Sequence, residues 1–184
     1  MLRIYDGKSF QTDFTRQRFD DYPEALAAVR QILADVRNDG DAAVIKYTKK
    51  FDGAVLQTLQ VSEEEFTAAK KQVEEKVVSA LKEAAENIQS FHRQQLRQSW
   101  LDYRPDGSVL GVRITSLERV GAYIPGGSAA YPSTVLMTVI PARVAGVKEI
   151  FLVTPPAADG YVNPYTLVAA ELAGVDAVFK CGGA

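Results

Sequence analysis

The sequence has very little of the residue chemistry that metal sites and disulfides require. Its 184 residues include one cysteine, Cys181, and one histidine, His92. A single cysteine excludes an internal disulfide, and one residue of each type leaves little from which to build a metal site. Cys181 follows an apolar strand pattern with no histidine near it in sequence, and His92 borders an apolar helix stripe. Both are interpreted as structural residues, not catalytic ones.

The sequence also lacks an excess of charge and a long apolar run. The formal net charge is -2 and the pI is near 5.5, which does not indicate a nucleic-acid or anionic-membrane surface. The longest apolar run, residues 135–140, is far too short to span a bilayer. The first ten residues, MLRIYDGKSF, lack the apolar segment of a signal peptide. A cytoplasmic protein without nucleic-acid or membrane partners is predicted.

What the sequence does contain divides near residues 117 and 118 into two regions. Region 1–117 has mainly helical patterns, beginning with residues 22–38 and continuing from Asp41 to Asp52 after a stop at Gly40. A short alternating stretch at residues 55–61 is compatible with a strand.

The longest helical pattern begins at Ser62. Ser62 and Glu65 have the spacing of a capping box, in which Glu65 reaches back to the amide of the cap, and the neighbouring glutamates suit the positive end of a helix. Apolar residues then recur every three or four positions with no glycine or proline before residue 105. One helix over residues 63–98, roughly 50 Å long, is predicted. Its apolar stripe exceeds what this chain needs, which predicts self-association through residues such as Val77, Leu81 and Ile88.

The second region, 118–184, alternates strands and helices. A hairpin over residues 100–117, with Asp106-Gly107 as its turn, leads into it. The β-α-β-α-β pattern that follows has continuously apolar strands, typical of a parallel sheet covered on both faces. We therefore predict an α/β fold in which helices and a hairpin precede an incomplete, three-stranded, Rossmann-like half sheet with spatial order 3-2-1.

Residues 120–156 carry the most distinctive motif, a glycine turn at Pro125-Gly126-Gly127 between an apolar strand and an apolar helix. Such a turn lies at the carboxyl end of a parallel strand, where open α/β sheets bind ligands. It matches neither the dinucleotide fingerprint nor the P-loop, whose lysine is replaced by Gly127, and the second strand ends in TPP without the acid that holds a ribose. A nucleotide loop and a purely structural turn remain equally good interpretations, and no catalytic residue is indicated.

Three runs of this region resemble a known family. GAYIPGGSA at residues 121–129, STVLM at 133–137 and PARVAG at 141–146 are similar to the first βαβ unit of histidinol dehydrogenase. VRNDGD at residues 36–41, with FD at 51–52 and FH at 91–92, resembles the helical region of the same family in order and spacing. The resemblance extends over nearly the whole chain.

The resemblance implies an aldehyde-dehydrogenase-like fold and a homodimeric, zinc-containing enzyme that oxidises L-histidinol to L-histidine in two NAD-dependent steps through an aldehyde. It places the family's NAD-contacting tyrosine at Tyr123, with Gly126, Gly127 and Ser128 as weaker candidates. The family's zinc ligands and acid-base pair belong to later sequence, so no catalytic or metal residue is assigned, and the chain alone is predicted to be inactive. The alternative is a non-catalytic nucleotide-binding or assembly module derived from that fold.

Overall fold

The structure, a computed structural model, describes residues 22–126 and 130–183. It opens with two helices, α1 (Pro23–Asp39) and α2 (Asp41–Asp52). Pro23 lies in the first turn of α1, where its missing N–H removes no helical hydrogen bond. Gly40 separates the helices with a φ of 56°, which glycine adopts without a steric penalty. These helices and their boundary agree with the prediction.

The pattern predicted as one helix over residues 63–98 forms two helices, α3 (Glu63–Gln72) and α4 (Glu75–Arg93), so that prediction is wrong. Val73 ends α3 in an extended conformation, with φ -101° and ψ 128°, and Glu74 is extended as well. The side chain of Val73 is buried in the core. The break is stabilised by this tertiary burial, since no glycine or proline marks it in the sequence.

An antiparallel hairpin follows, formed by β1 (Trp100–Tyr103) and β2 (Val109–Val112). Gly107 in its turn has a φ of 84°, and Asp106 accepts hydrogen bonds from the amide and hydroxyl of Ser108. The predicted hairpin and its turn are confirmed. Every residue of both strands is exposed.

The second region forms a parallel sheet of β3 (Arg119–Tyr123), β4 (Glu149–Thr154) and β5 (Ala177–Lys180). Helix α5 (Pro132–Val144) connects β3 to β4, and α6 (Pro164–Ala173) connects β4 to β5. The strands lie in the order β3-β4-β5, which confirms the predicted 3-2-1 arrangement.

Residues 59–61 run along the outer edge of β5. The amide of Val61 donates to the carbonyl of Val178 at 2.9 Å, and the amide of Lys180 donates to the carbonyl of Leu59 at 2.7 Å. Gln60 forms an antiparallel bridge with Phe179. The strand predicted at residues 55–61 is therefore reduced to a single bridge, which still covers this edge of the sheet.

Among the described residues, only one face of the sheet is fully covered. The expectation that both faces are covered is therefore wrong for this part of the chain. Along β4, Ile150 and Leu152 are buried whereas Phe151 and Val153 are half-buried. Both crossovers advance in the same direction, and right-handed crossovers of this kind place their helices on the same face. Helices α5 and α6 accordingly pack against each other on that face.

The core lies between the sheet and its helices. Helix α4 packs on α5, and α3 packs on α6. The largest fully buried side chains lie in the sheet, in α5 and α6 and in the segments that flank them, with Thr48 of α2 as the exception. They are Ile124, Leu136, Ile150, Leu152, Leu167, Val135, Val139, Val178 and Thr48.

This packing covers most of the apolar stripe of α4. Leu81 is buried, and Val77 and Ile88 pack against the core. Phe91, at the end of the stripe, is 62% exposed, so the expectation of an uncovered stripe is wrong only for its first part, and self-association stays a prediction.

The division at residues 117 and 118 stays a prediction. The core cluster joins side chains on both sides of it, including Ala69 and Leu81 from one side and Leu152 from the other. Within the described residues, no helix combines the length and the apolar character needed to cross a membrane.

Candidate functional site at the carboxyl edge of the sheet

Tyr123 is the last residue of β3 and pairs with Val153 of β4. Its side chain is 55% exposed and is therefore not packed in the core. Because successive strand residues point to opposite faces, Tyr123 shares the half-covered face with Val153. The sequence therefore places an accessible aromatic ring at the carboxyl edge, and its role in NAD contact stays a prediction.

The turn after β3 brings the chain close to the end of β4. Ile124 is fully buried, and its amide donates to the carbonyl of Val153 at 2.8 Å. A Cβ atom on Gly126 would lie 2.6 Å from Cγ of Pro155, so only glycine fits without a shift of the backbone or the ring. Gly126 thus has a structural reason to be glycine, which agrees with the interpretation of this segment as a purely structural turn. Gly127 and Ser128 lie outside the described residues.

A cleft of about 440 Å³ opens beside this turn. It lies between α3, the segments that follow β3 and β4, and the first turns of α6. The described residues that contribute polar groups to its lining include Glu65, Gln72, Thr154, Asp159, Tyr161 and Asn163. Its size is within the range of small-molecule sites, and its position is that of ligand clefts in open α/β sheets.

A buried ion pair closes one side of the cleft. Nζ of Lys180 lies 2.6 Å from Oε2 of Glu65, and the two side chains are 10% and 8% exposed. Oε1 of Glu65 accepts a hydrogen bond from the amide of Val162 at 3.0 Å. The pair joins α3 to the end of β5 and to the segment before α6, so three separate parts of the chain meet at two side chains.

The predicted capping box is half right. Oγ of Ser62 accepts from the amide of Glu65 at 3.3 Å, as predicted. Glu65 lies in the first turn of α3, as predicted, but its side chain turns to Lys180 and Val162 and does not return to the cap, so the second half of the capping box is wrong. A hydrogen bond from Ser62 instead lowers the pKa of Glu64. No sequence pattern indicated the ion pair, because Glu65 and Lys180 are far apart along the chain.

Asp52, at the end of α2, is a second polar group that sequence reasoning missed. Its Oδ2 atom and Oγ1 of Thr48, one helical turn earlier, are buried without a hydrogen-bond partner among the described residues. Both carboxylate oxygens would lie 2.8 Å from a Cβ atom on Gly182, so α2 abuts the chain directly after β5. Burial raises the pKa of the Asp52 carboxyl above its usual value.

Replacing Asp52 with asparagine is expected to stabilise the chain at neutral pH. Because its folded-state pKa is raised, the Asp52 carboxyl contributes most to stability below the pKa of the unfolded state. That contribution is lost as pH rises through the folded-state pKa, since the buried side chain then becomes charged. Asp52→Asn should raise the thermal midpoint at pH 7 by a few degrees, at about 2–4 °C for each kcal/mol. The gain should shrink as the pH is lowered toward the unfolded-state pKa of the carboxyl, because wild-type Asp52 then becomes protonated in the folded chain; an equal gain at neutral and acid pH would contradict this role of the charge.

His92 lies near the end of α4 and not at the carboxyl edge. Its Nδ1 is 2.8 Å from Oε1 of Gln95, within hydrogen-bond distance, and its ring contacts Phe91 edge-on. Cys181 directly follows β5, is partly buried and donates its amide to the carbonyl of Thr154. Residues 22–126 and 130–183 bring no three His, Cys, Asp or Glu side chains together in a way that could hold a metal ion.

Arg143, within the PARVAG run, anchors the opposite edge of the sheet. Its guanidinium donates to the carbonyls of Gly174, Val147 and Lys148, at 2.6 to 3.2 Å, and to Asp176. Asp176 also accepts from the amide of Ile150, and this bond together with Arg143 lowers the pKa of the Asp176 carboxyl. The amino-terminal edge is thereby fixed, so the motif that carries part of the family resemblance has a structural function here.

The parallel order β3-β4-β5, with both crossover helices on one face and a cleft at the carboxyl edge, defines half of a Rossmann-like α/β sheet. The model of the histidinol dehydrogenase family matches residues 15–184, and the chain belongs to that family.

Relatives and a solved structure agree with this assignment. Histidinol dehydrogenase of Clostridium acetobutylicum is 44% identical over 179 residues, which cover 97% of this chain and 42% of the relative. That of Methanosarcina mazei is 55% identical over 156 residues, 84% of this chain and 36% of the relative. The crystal structure of the Elizabethkingia anophelis enzyme superposes with a TM-score of 0.84 at 40% identity, covering 92% of this chain and 38% of that one. The chain thus spans about two fifths of these proteins.

Proposed function

We propose that this chain forms the amino-terminal, cofactor-contacting part of an NAD-dependent histidinol dehydrogenase of histidine biosynthesis. The whole enzyme would oxidise L-histidinol to L-histidine through the aldehyde, in the cytoplasm and as a homodimer. Membership of the family carries this proposal, supported by the exposure of Tyr123 at the carboxyl edge of the sheet.

NAD, when bound, would supply the hydride acceptor for both oxidation steps. Tyr123 would contact the cofactor from the end of β3, where its position is set by the pairing with Val153. The turn at Gly126 has no Cβ and follows a buried strand end, which keeps the backbone near the edge that a flat ligand would approach. In this proposal Tyr123 and the turn at Gly126 bind and orient NAD, and neither of them transfers a proton.

The chain by itself is proposed to be inactive. Zinc in the parent enzyme would require three or more protein ligands, and the described residues bring no such group together. One aromatic contact contributes on the order of 1 kcal/mol, well below the cost of association, so NAD should bind this chain no better than millimolar.

A chimera tests the function. In it, this chain replaces the matching segment of the Clostridium acetobutylicum enzyme, which it resembles at 44% identity. NADH formation from NAD and L-histidinol is expected from the zinc-loaded chimera and not from this chain alone. A folded chimera that binds zinc but produces no NADH would reject the proposal and favour the non-catalytic module.

Tyr123→Ala in the same chimera should weaken NAD binding by about tenfold, the equivalent of roughly 1.4 kcal/mol. Tyr123→Phe separates the ring from the hydroxyl, and Tyr103→Ala on the exposed hairpin serves as the matched control. Calorimetric titration with NAD measures all four proteins. An unchanged Kd in Tyr123→Ala would remove Tyr123 from the site.

A further inference from the structure

Two buried hydrogen-bond acceptors on α2 have no donor among the described residues. They are Oγ1 of Thr48 and Oδ2 of Asp52, which lie one helical turn apart, and the Thr48 side chain is fully buried. Most buried side-chain oxygens in proteins are hydrogen-bonded, because leaving one unpaired costs the hydration that it has lost. The two oxygens therefore indicate a donor that the described residues do not provide.

The position of Asp52 adds a second cost. It is the last residue of α2, where the free carbonyl groups of the helix end create a negative potential that disfavours a carboxylate. Burial is the cause of the raised pKa of this carboxyl. The basic side chains next to it have other partners, since the Lys50 ammonium lies over the ring of Phe51 at 5.3 Å. Lys180 is held in its buried ion pair. A donor for Asp52 must come from another segment.

The Asp52 carboxyl faces the segment that leaves β5. Both of its oxygens would lie 2.8 Å from a Cβ atom on Gly182, and the ring of Phe51 would lie 2.7 Å from a Cβ atom on Gly183. Only glycine fits at these two positions without a shift of α2 or its side chains. The end of α2 therefore covers the first residues beyond β5, at the carboxyl edge of the sheet.

The two earlier strands of this sheet each lead into a helix that begins at the carboxyl edge. Helix α5 follows β3, and α6 follows β4. The first-turn amides of a helix have no partner within the helix and carry a partial positive charge. If the same alternation continues past β5, such amides lie next to the unpaired oxygens of Asp52 and Thr48. Donors without acceptors would then meet acceptors without donors.

We propose that Asp52, with Thr48 beside it, binds the first-turn amides of a helix that follows β5 in the parent enzyme and so positions that helix. The inference rests on the proposed function only in taking this chain as the amino-terminal part of a longer enzyme. The ligand of this site is backbone N–H, and Asp52 takes no part in the reaction. A carboxylate that costs stability in this chain would thereby stabilise the whole enzyme.

The sign of the effect of Asp52→Asn in two proteins tests the proposal. In this chain the change should raise the thermal midpoint at pH 7 by a few degrees, as argued above. In the chimera, which supplies the sequence after β5, it should lower the midpoint by a few degrees, because the amides lose a charged acceptor. Asp39→Asn, at the exposed end of α1, is the matched control and should act alike in both proteins.

A midpoint that does not fall in the Asp52→Asn chimera would overturn the proposal. A fall in both proteins would overturn it as well, since the donor would then lie within this chain.

Thr48→Val gives a readout that does not depend on charge. It removes the unpaired hydroxyl, so it should leave the midpoint of this chain unchanged or higher and lower that of the chimera. Hydrogen–deuterium exchange measured by mass spectrometry locates the effect. In both variants of the chimera the amides that directly follow position 184 should exchange faster than in the unchanged chimera. Equal exchange there would contradict the role of Asp52 and Thr48.

NADH formation by the chimera separates this inference from the proposed function. If the chimera reduces NAD and Asp52→Asn stabilises it, the role of Asp52 is wrong and the function stands. If it forms no NADH and Asp52→Asn destabilises it, the function is wrong and the role of Asp52 stands.

Discussion

Replacing Lys180 with methionine is expected to lower the free energy of unfolding by about 3–5 kcal/mol, because the Glu65 carboxylate would remain buried without its counter-charge. The carboxylate would keep one hydrogen bond, from the amide of Val162, which does not neutralise it. Urea unfolding followed by circular dichroism measures the change.

Two controls distinguish a buried pair from ion pairing in general. Lys70→Met breaks an equally short pair, with Glu171 at 2.6 Å, in which both side chains are about half exposed. That change should cost less than about 1 kcal/mol. The double variant Glu65→Gln with Lys180→Met removes both charges and keeps an acceptor for Val162, so it should recover most of the loss. If Lys180→Met and the double variant lose equal free energy of unfolding, then lost packing, and not the unpaired charge, dominates the effect.

Arg143→Lys is expected to cost about 2–4 kcal/mol even though it conserves charge. The guanidinium serves three carbonyls and Asp176 from several nitrogen atoms, and an ammonium donates from one atom only. Arg119→Lys is the matched control, since that side chain is 67% exposed, forms an ion pair with Glu149 and lies over the ring of Phe151. A similar loss in both variants would contradict the anchoring role of Arg143.

The pH dependence of the same variant provides a second readout. The amide of Ile150 and the guanidinium of Arg143 lower the pKa of Asp176, so this carboxyl stabilises the fold above its unfolded-state pKa and the stabilisation is lost as pH falls through the folded value. Without the guanidinium the folded pKa moves up toward the unfolded one. The acid-induced loss of stability that Asp176 causes should then be smaller, and should end at a higher pH, in Arg143→Lys than in wild type.

Local chemistry was sufficient for most of the secondary structure. Apolar periodicity, Pro23, Gly40 and the Asp106-Gly107 turn predicted helices α1 and α2 and the hairpin, and the β-α-β-α-β pattern predicted the sheet and its order. The break between α3 and α4 was missed. Val73 continues the helical period of its neighbours, and only its burial against the rest of the core selects an extended backbone there.

The candidate site divides in the same way. The position of Tyr123 follows from strand and turn signals within a few residues, and the sequence alone therefore placed it at the carboxyl edge. The Glu65–Lys180 pair, the burial of Asp52 against the segment after β5 and the return of Asp159 to the cleft were not predicted. Each depends on where distant segments meet.

The sequence by itself determined the order of elements, the parallel sheet, the glycine turn and the family motifs, because these depend on neighbours within about one turn or one strand. Only the tertiary structure decided that the sheet is fully covered on one face, that α4 is turned onto α5 and that Glu65 serves Lys180 and not its own helix. Burial and ion pairing depend on contacts between segments far apart along the chain, and a local sequence pattern cannot predict such contacts.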